Sequence, residues 1–125
     1  MTIRRLAVLQ WIGLLLGAVF AGAGFLVAYG VTEAECGQGS ALWGIGNDTW
    51  EAVLLGAAAL CVIAAEAAAV TVTLRTRTVS YESDAPPLSR IRFFAIASLV
   101  ANALFLGVLA LAALASIVDE ACRQA

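Results

Sequence analysis

Hydrophobic residues along this chain fall into three long blocks, separated by two shorter polar segments. The blocks run from about residue 6 to 29, 49 to 74 and 89 to 118, and each reaches the roughly 20 apolar residues that a helix needs to cross a bilayer. The first block follows Arg4 and Arg5, but it is longer than the roughly 7 to 15 apolar residues of a signal peptide. The pattern therefore predicts an all-α integral membrane protein, residues 1–125, with three transmembrane helices in a single domain.

Polar residues and helix breakers set the predicted helix ends. The segment 31–47 contains Cys36 and four glycines, so we expect an exposed loop there. Asp48 followed by Glu51 is typical of a helix start, because aspartate accepts the free N–H groups of the first turn and a nearby glutamate favours the positive end of the helix dipole. The Pro86-Pro87 pair interrupts any helix between the second and third blocks.

The composition indicates a lipid environment, and the arginines indicate an orientation. The chain is 62% hydrophobic and only 13% charged. Six of its seven basic residues, all arginines, flank one side of the predicted bundle: Arg4, Arg5, Arg75, Arg77, Arg90 and Arg92. By the positive-inside rule this side is cytoplasmic, so the N-terminus lies inside and the C-terminus outside. Abundant alanine and arginine without lysine suggest a high-GC bacterium, so we expect a multi-pass protein of the bacterial inner membrane.

Glu66 is an ionisable residue inside the second predicted helix. An acid near the centre of a membrane helix costs a few kcal/mol, so it should be protonated, paired, or turned toward protein or water. Ser98 and Asn102 lie at a similar depth on the antiparallel third helix, one turn apart, and we expect both to contact Glu66. Two interpretations remain open: a hydrogen-bonding residue that fixes helix packing, or a proton or ion site.

Small residues recur every three or four positions on the first predicted helix. They are Gly13, Gly17, Ala21, Gly24 and Ala28. Such a stripe lets another helix backbone approach closely, and close packing drives helix association in lipid. The sequence leaves open whether the stripe forms a dimer interface, the core of the bundle or a docking face.

Cysteines and missing residue types limit the chemistry. The predicted topology puts Cys36 and Cys122 on the outer, oxidising side without the spacing of a redox motif, so we predict a structural disulfide between them. Cys61 lies alone within the second helix and is predicted to be a free packing residue. The chain has no histidine, the commonest metal ligand and general base. We therefore predict no catalytic residues, no metal site and no cofactor in this chain.

The last third of the chain resembles small hydrophobic proteins that accompany bacterial haem-copper terminal oxidases. The matching residues are Arg92-Phe93-Phe94, Asn102-Ala103-Leu104-Phe105-Leu106 and Asp119-Glu120-Ala121-Cys122. The resemblance covers about a quarter of the chain. It implies a non-catalytic accessory subunit of a multi-subunit respiratory membrane complex of the cytochrome oxidase type, which acts in assembly and packing with other integral membrane subunits in the lipid bilayer.

Three hypotheses for function therefore stand at this point. The first is the accessory subunit; its acidic outer face would also guide a basic soluble electron carrier, and no nucleic acid partner is expected. The second is a self-associating small transporter or channel that uses Glu66 as its proton or ion site. The third, a membrane thiol oxidoreductase using Cys36 and Cys122, has the least support because neither cysteine has an obvious activating neighbour.

The predicted topology can be tested with reporter fusions. A reporter after Ala125 should be active outside the cytoplasm, and one inserted near Ser83 should be active inside, because the arginines hold that side in the cytoplasm. The reverse pattern of activity would contradict the orientation.

Overall fold

A computed structural model describes residues 2–36, 47–79 and 87–118 of the chain. The helices are α1 (Ile3–Trp11), a π-helical segment (Ile12–Leu16), α2 (Gly17–Cys36), α3 (Asn47–Arg75) and α4 (Leu88–Val118). α1, the π segment and α2 follow one another without a break and form the first span. The structure confirms the predicted all-α class, with three helices long and apolar enough to cross a membrane.

The first span is longer than predicted at both ends. It begins at Ile3 rather than near Leu6, and it continues through Cys36, so Glu33 and Cys36 lie on a helix and not in an exposed loop. The reason lies in the residues 31–36, which contain alanine and glutamate but no glycine or proline; the first glycine of the segment comes at Gly37. α3 and α4 begin close to their predicted starts, two residues and one residue earlier.

The three spans pack antiparallel around a core of small residues. Gly24 approaches α3 so closely that a Cβ added to it would lie 2.5 Å from the Ala58 Cβ. Two buried apolar clusters join all three spans. One contains Ala21, Ala28, Leu55, Ala58, Val62 and Leu109, and the other contains Leu6, Val72, Ile91 and Ala95. The clusters lie at opposite ends of the bundle.

Large apolar side chains point outward from this core. Leu60, Leu104 and Leu111 are each more than 60% exposed. In water such a surface would aggregate, whereas lipid solvates it as readily as a protein interior does. The bundle therefore has the small-inside, large-outside arrangement of a multi-pass membrane protein.

The two ends of the bundle differ in charge. We call one end the arginine end; its residues are Arg4, Arg5, Arg75, Arg77, Arg90 and Arg92. We call the other the acidic end; Glu33 and Glu51 lie there. At the arginine end, Arg92 donates a hydrogen bond to the carbonyl of Val79, which ties the turn after α3 to the start of α4.

Replacement of Gly24 by leucine should separate α2 from α3. The new side chain would overlap Ala58, and overpacking of this kind costs about 1–3 kcal/mol. The free energy of unfolding in detergent, followed by circular dichroism, should fall by that amount. Gly22→Leu is the matched control, because an added Cβ there meets nothing within 4 Å and stability should not change. Equal stability of the two variants would contradict the close approach.

Candidate functional site

Asn102 is a fully buried polar residue in the middle of α4. Its Nδ2 donates a 3.0 Å hydrogen bond to the carbonyl of Gly13, in the π segment of the first span. The Oδ1 of the same side chain lies against Gly17, where an added Cβ would overlap it. The two glycines therefore form a notch in the first span, and the Asn102 amide fills it.

The π segment helps to make this notch. In a π turn the backbone bonds run five residues back, which widens the helix, and such turns are frequent at functional sites. A carbonyl oxygen has two lone pairs, so that of Gly13 can accept the Asn102 N–H beside a helical bond. A side-chain hydrogen bond between membrane helices contributes about 0.6–2 kcal/mol. The Asn102 bond therefore fixes how α4 sits against the first span.

The small-residue stripe predicted from the sequence faces α3. A Cβ added to Gly13 would lie 3.2 Å from the Ala69 Cβ, and Gly24 contacts Ala58 as described above. Ala21 is buried in the apolar cluster between the same helices. Among the three roles that the sequence left open, the structure places the stripe in the core of the bundle.

Glu66 lies half-buried on α3. Within the described residues no hydrogen bond joins Glu66 to Ser98 or Asn102, and the contact expected among the three residues stays a prediction. Ser98 donates instead to the Phe94 carbonyl at 2.7 Å, because a carbonyl one turn back on its own helix is the nearest acceptor to a serine hydroxyl. Asn102 donates to Gly13. Oε2 of Glu66 is buried, and no hydrogen-bond partner for it exists in the described part of the chain.

Polar residues from all three spans lie at one level of the bundle. Two sets of contacts bound this level. On the side of the arginine end, Leu6 packs with Val72 and Ala95. On the other side, Gly13 contacts Ala65 and its carbonyl accepts the hydrogen bond from Asn102. The buried or half-buried polar residues at or between these contacts are Gln10, Glu66, Ser98 and Asn102, whereas Thr71 at the same level is exposed. We call these four residues the polar layer. It lies in the half of the bundle nearer the arginine end.

Gln10 is a member of the polar layer that sequence analysis missed. It is only 4% exposed, and its Nε2 has no hydrogen-bond partner among the described residues. The signal was available, because Gln10 lies three residues before Gly13 and seven before Gly17 and so lies on the face of the small-residue stripe. Two threonines near the arginine end of α3 were missed as well: Thr76 is buried, and Oγ1 of Thr73 is buried without a partner in the described ranges.

The cysteines lie apart from the polar layer. Cys61 is a free, half-buried thiol on α3. Cys36 is the last residue of α2, at the acidic end, whereas Cys122 lies outside the described residues, so their pairing stays a prediction. Within residues 2–36, 47–79 and 87–118, no three histidine, cysteine, aspartate or glutamate side chains come together as metal ligands.

The Asn102 bond can be tested by replacing the amide. Asn102→Leu should lower the free energy of unfolding in detergent by about 0.6–2 kcal/mol, because the bond to Gly13 is lost. Gly17→Ile should act in the same direction, since its side chain would displace the amide from the notch. Leu104→Ala, an exposed position on the same helix, serves as the control. Wild-type stability of Asn102→Leu would show that the bond does not hold the helices together.

No protein-family model matches this sequence, and comparisons with curated proteins and with solved structures give no match. The proposal for its function therefore depends on the packing surfaces and the distribution of charge.

Proposed function

We propose that this chain is a non-catalytic accessory subunit of a multi-subunit respiratory membrane complex of the cytochrome oxidase type, acting in assembly and packing. The observation that carries the proposal is a groove of about 800 Å³ on the outer side of the bundle, between α3 and α4. Small residues dominate its walls. They are Ala52, Gly56, Ala59, Ala110 and Ala113.

Small residues on an outer surface favour contact with another helix. They let a second backbone approach closely, and the resulting van der Waals packing drives association in lipid. Gly56 contributes most to this access, because a Cβ added to it would meet nothing within 4 Å. Along α3 the groove extends from Ala52 to Ala59, about 10 Å, which matches two turns of a docked helix.

The groove interrupts a surface that is otherwise made of large side chains. Leu60 on α3 and Leu104 and Leu111 on α4 are more than 60% exposed and suit contact with lipid tails. Six of the ten residues that line the groove are small, and this suits the close approach of a transmembrane helix of another subunit. This contrast supports a packing role for the chain.

The resemblance to oxidase-associated proteins lies on the same helix as one wall of the groove. Its segments Arg92-Phe93-Phe94 and Asn102-Ala103-Leu104-Phe105-Leu106 belong to α4, and Leu106 lines the groove. The third matching segment, 119–122, lies outside the described residues. The shared location on α4 supports an oxidase-type complex as the partner.

The remaining parts of the proposal follow from charge and topology. The arginine end faces the cytoplasm of a bacterial cell, and the protein resides in the inner membrane. The acidic end faces outward, where it would attract a basic soluble electron carrier.

A disulfide between Cys36 and Cys122 would link α2 to the segment after α4 at the acidic end. Closing so long a loop would contribute about 4 kcal/mol to stability in the chain-entropy model.

The alternative function is a self-associating transporter or channel that uses Glu66. One observation supports this alternative. Oε2 of Glu66 is buried without a hydrogen-bond partner among the described residues, so it is free to bind an ion or another polar group. That oxygen is buried within a single chain, however, and this favours a site inside one bundle over a path between several copies.

Purification from native membranes tests the accessory role. A tagged chain extracted in mild detergent should carry other integral membrane subunits in fixed stoichiometry. Gly56→Leu should reduce their recovery by about tenfold, corresponding to about 1.4 kcal/mol of lost packing, because the new side chain occupies the groove.

Gly22→Leu is the matched control for this experiment. Its position is equally open, but it lies on the first span, away from the groove, so recovery should not change. Full recovery with Gly56→Leu would refute docking in the groove. A homo-oligomer without other subunits would favour the alternative function.

A further inference from the structure

An open cleft lies on the first span at the arginine end of the bundle. Its volume is about 510 Å³, and the residues that line it are Thr2, Arg4, Arg5, Val8 and Leu9. The groove between α3 and α4 shares none of these residues. Sites that bind small molecules have volumes of roughly 300–1,000 Å³. The cleft is therefore large enough for a ligand, and both of its arginines carry a positive charge.

The described part of the chain offers these two arginines no nearby acidic partner. The first span has no aspartate or glutamate before Glu33, close to its opposite end, and residues 87–118 have none. On α3 the acid nearest to the arginine end is Glu66, about 14 Å along the axis from the last residue of that helix. Two further acids, Glu82 and Asp84, lie outside the described residues. Within the described ranges, the positive charge of the cleft therefore favours an anionic ligand.

The cleft is polar at one level and apolar at the next. Val8 follows Arg4, and Leu9 follows Arg5, by about one helical turn, or about 6 Å along the axis. In a bilayer the arginines therefore lie nearer to the lipid head groups, and the two apolar side chains lie nearer to the tails. Guanidinium groups bind phosphate through paired, charge-assisted hydrogen bonds. Val8 is 52% exposed and offers a surface for a hydrocarbon chain. This order of groups matches that of a phospholipid.

Thr2 adds a hydroxyl group beside the arginines. It occupies the N-cap position of α1, yet its side chain forms no capping hydrogen bond there. A threonine hydroxyl can donate one hydrogen bond, so it suits a phosphate oxygen. The first turn of α1 also contains no acidic residue, so no side-chain charge of that turn balances the positive end of the helix dipole. Both features favour an anion over a neutral ligand.

We infer that this cleft binds one anionic phospholipid, with the lipid phosphate on Arg4 and Arg5 and an acyl chain along Val8 and Leu9. Basic residues beside a membrane helix attract anionic lipids. A zwitterionic lipid fits less well, because its head group carries an ammonium or choline cation that the two arginines repel. This inference does not depend on the groove or on an accessory role.

Native mass spectrometry of the full-length chain in mild detergent measures this binding directly. One phosphatidylglycerol should bind per chain, at least about tenfold more tightly than phosphatidylcholine with the same acyl chains. The double variant Arg4→Gln, Arg5→Gln should bind phosphatidylglycerol at least about tenfold more weakly, because hydrogen bonds from charged groups to the phosphate are lost. Equal affinity of the wild-type chain for the two lipids would overturn the inference without recourse to any variant.

The matched control is the double variant Arg75→Gln, Arg77→Gln. It removes the same charge from the same end of the bundle, at two exposed positions outside the cleft. Its affinity for phosphatidylglycerol should equal that of the wild-type chain. An equal loss of affinity in the two double variants would mean that the lipid responds to overall charge, and it would overturn a site at the cleft.

Inorganic phosphate distinguishes a lipid from a soluble ligand. A free phosphate meets only the arginine level of the cleft and gains nothing from Val8 and Leu9. It should therefore fail to displace phosphatidylglycerol, even at about a hundredfold excess. Displacement at equal concentration would assign the cleft to a soluble phosphate and would overturn the lipid.

Discussion

The packing of this bundle depends on the insertion of the Asn102 amide into the Gly13–Gly17 notch. The bond from Nδ2 to the Gly13 carbonyl joins residues 89 positions apart and connects the third span to the first. It also sets the depth at which the polar layer forms, since Gly13 contacts α3 at Ala65. In lipid, where apolar contact alone does not distinguish one helix register from another, a buried hydrogen bond of this kind selects one.

Small residues make this insertion possible. The first span presents glycine and alanine to α3, so the helices approach within a distance that larger side chains would prevent. Many large apolar residues point outward instead, where they are solvated by lipid, while a smaller number such as Val62 and Leu109 fill the core. This distribution leaves a groove between α3 and α4, where the small residues Ala52, Gly56 and Ala110 lie outside the buried clusters. A chain with one small-residue surface filled and another open is suited to assembly with a further helix.

The bundle is polar in one half and apolar in the other. Glu66, Gln10 and Asn102 lie in the half nearer the arginine end, and the cluster around Val62 closes the half nearer the acidic end. An unpaired polar group in hydrocarbon costs several kcal/mol, so these side chains are the part of the core that most constrains helix packing.

The sequence by itself determined the three spans. Each apolar run is long enough to cross a bilayer, and in lipid the backbone N–H and C=O groups of such a run are satisfied by forming a helix. It also marked Glu66, Asn102 and the glycines as residues needing an explanation, since polar and small residues stand out in an apolar helix. Tertiary structure decided their partners. Which carbonyl Asn102 reaches, and that Oε2 of Glu66 has no partner among the described residues, depend on the π segment and on helix rotation. Both are set by side-chain packing between distant residues, which hydropathy and spacing do not encode.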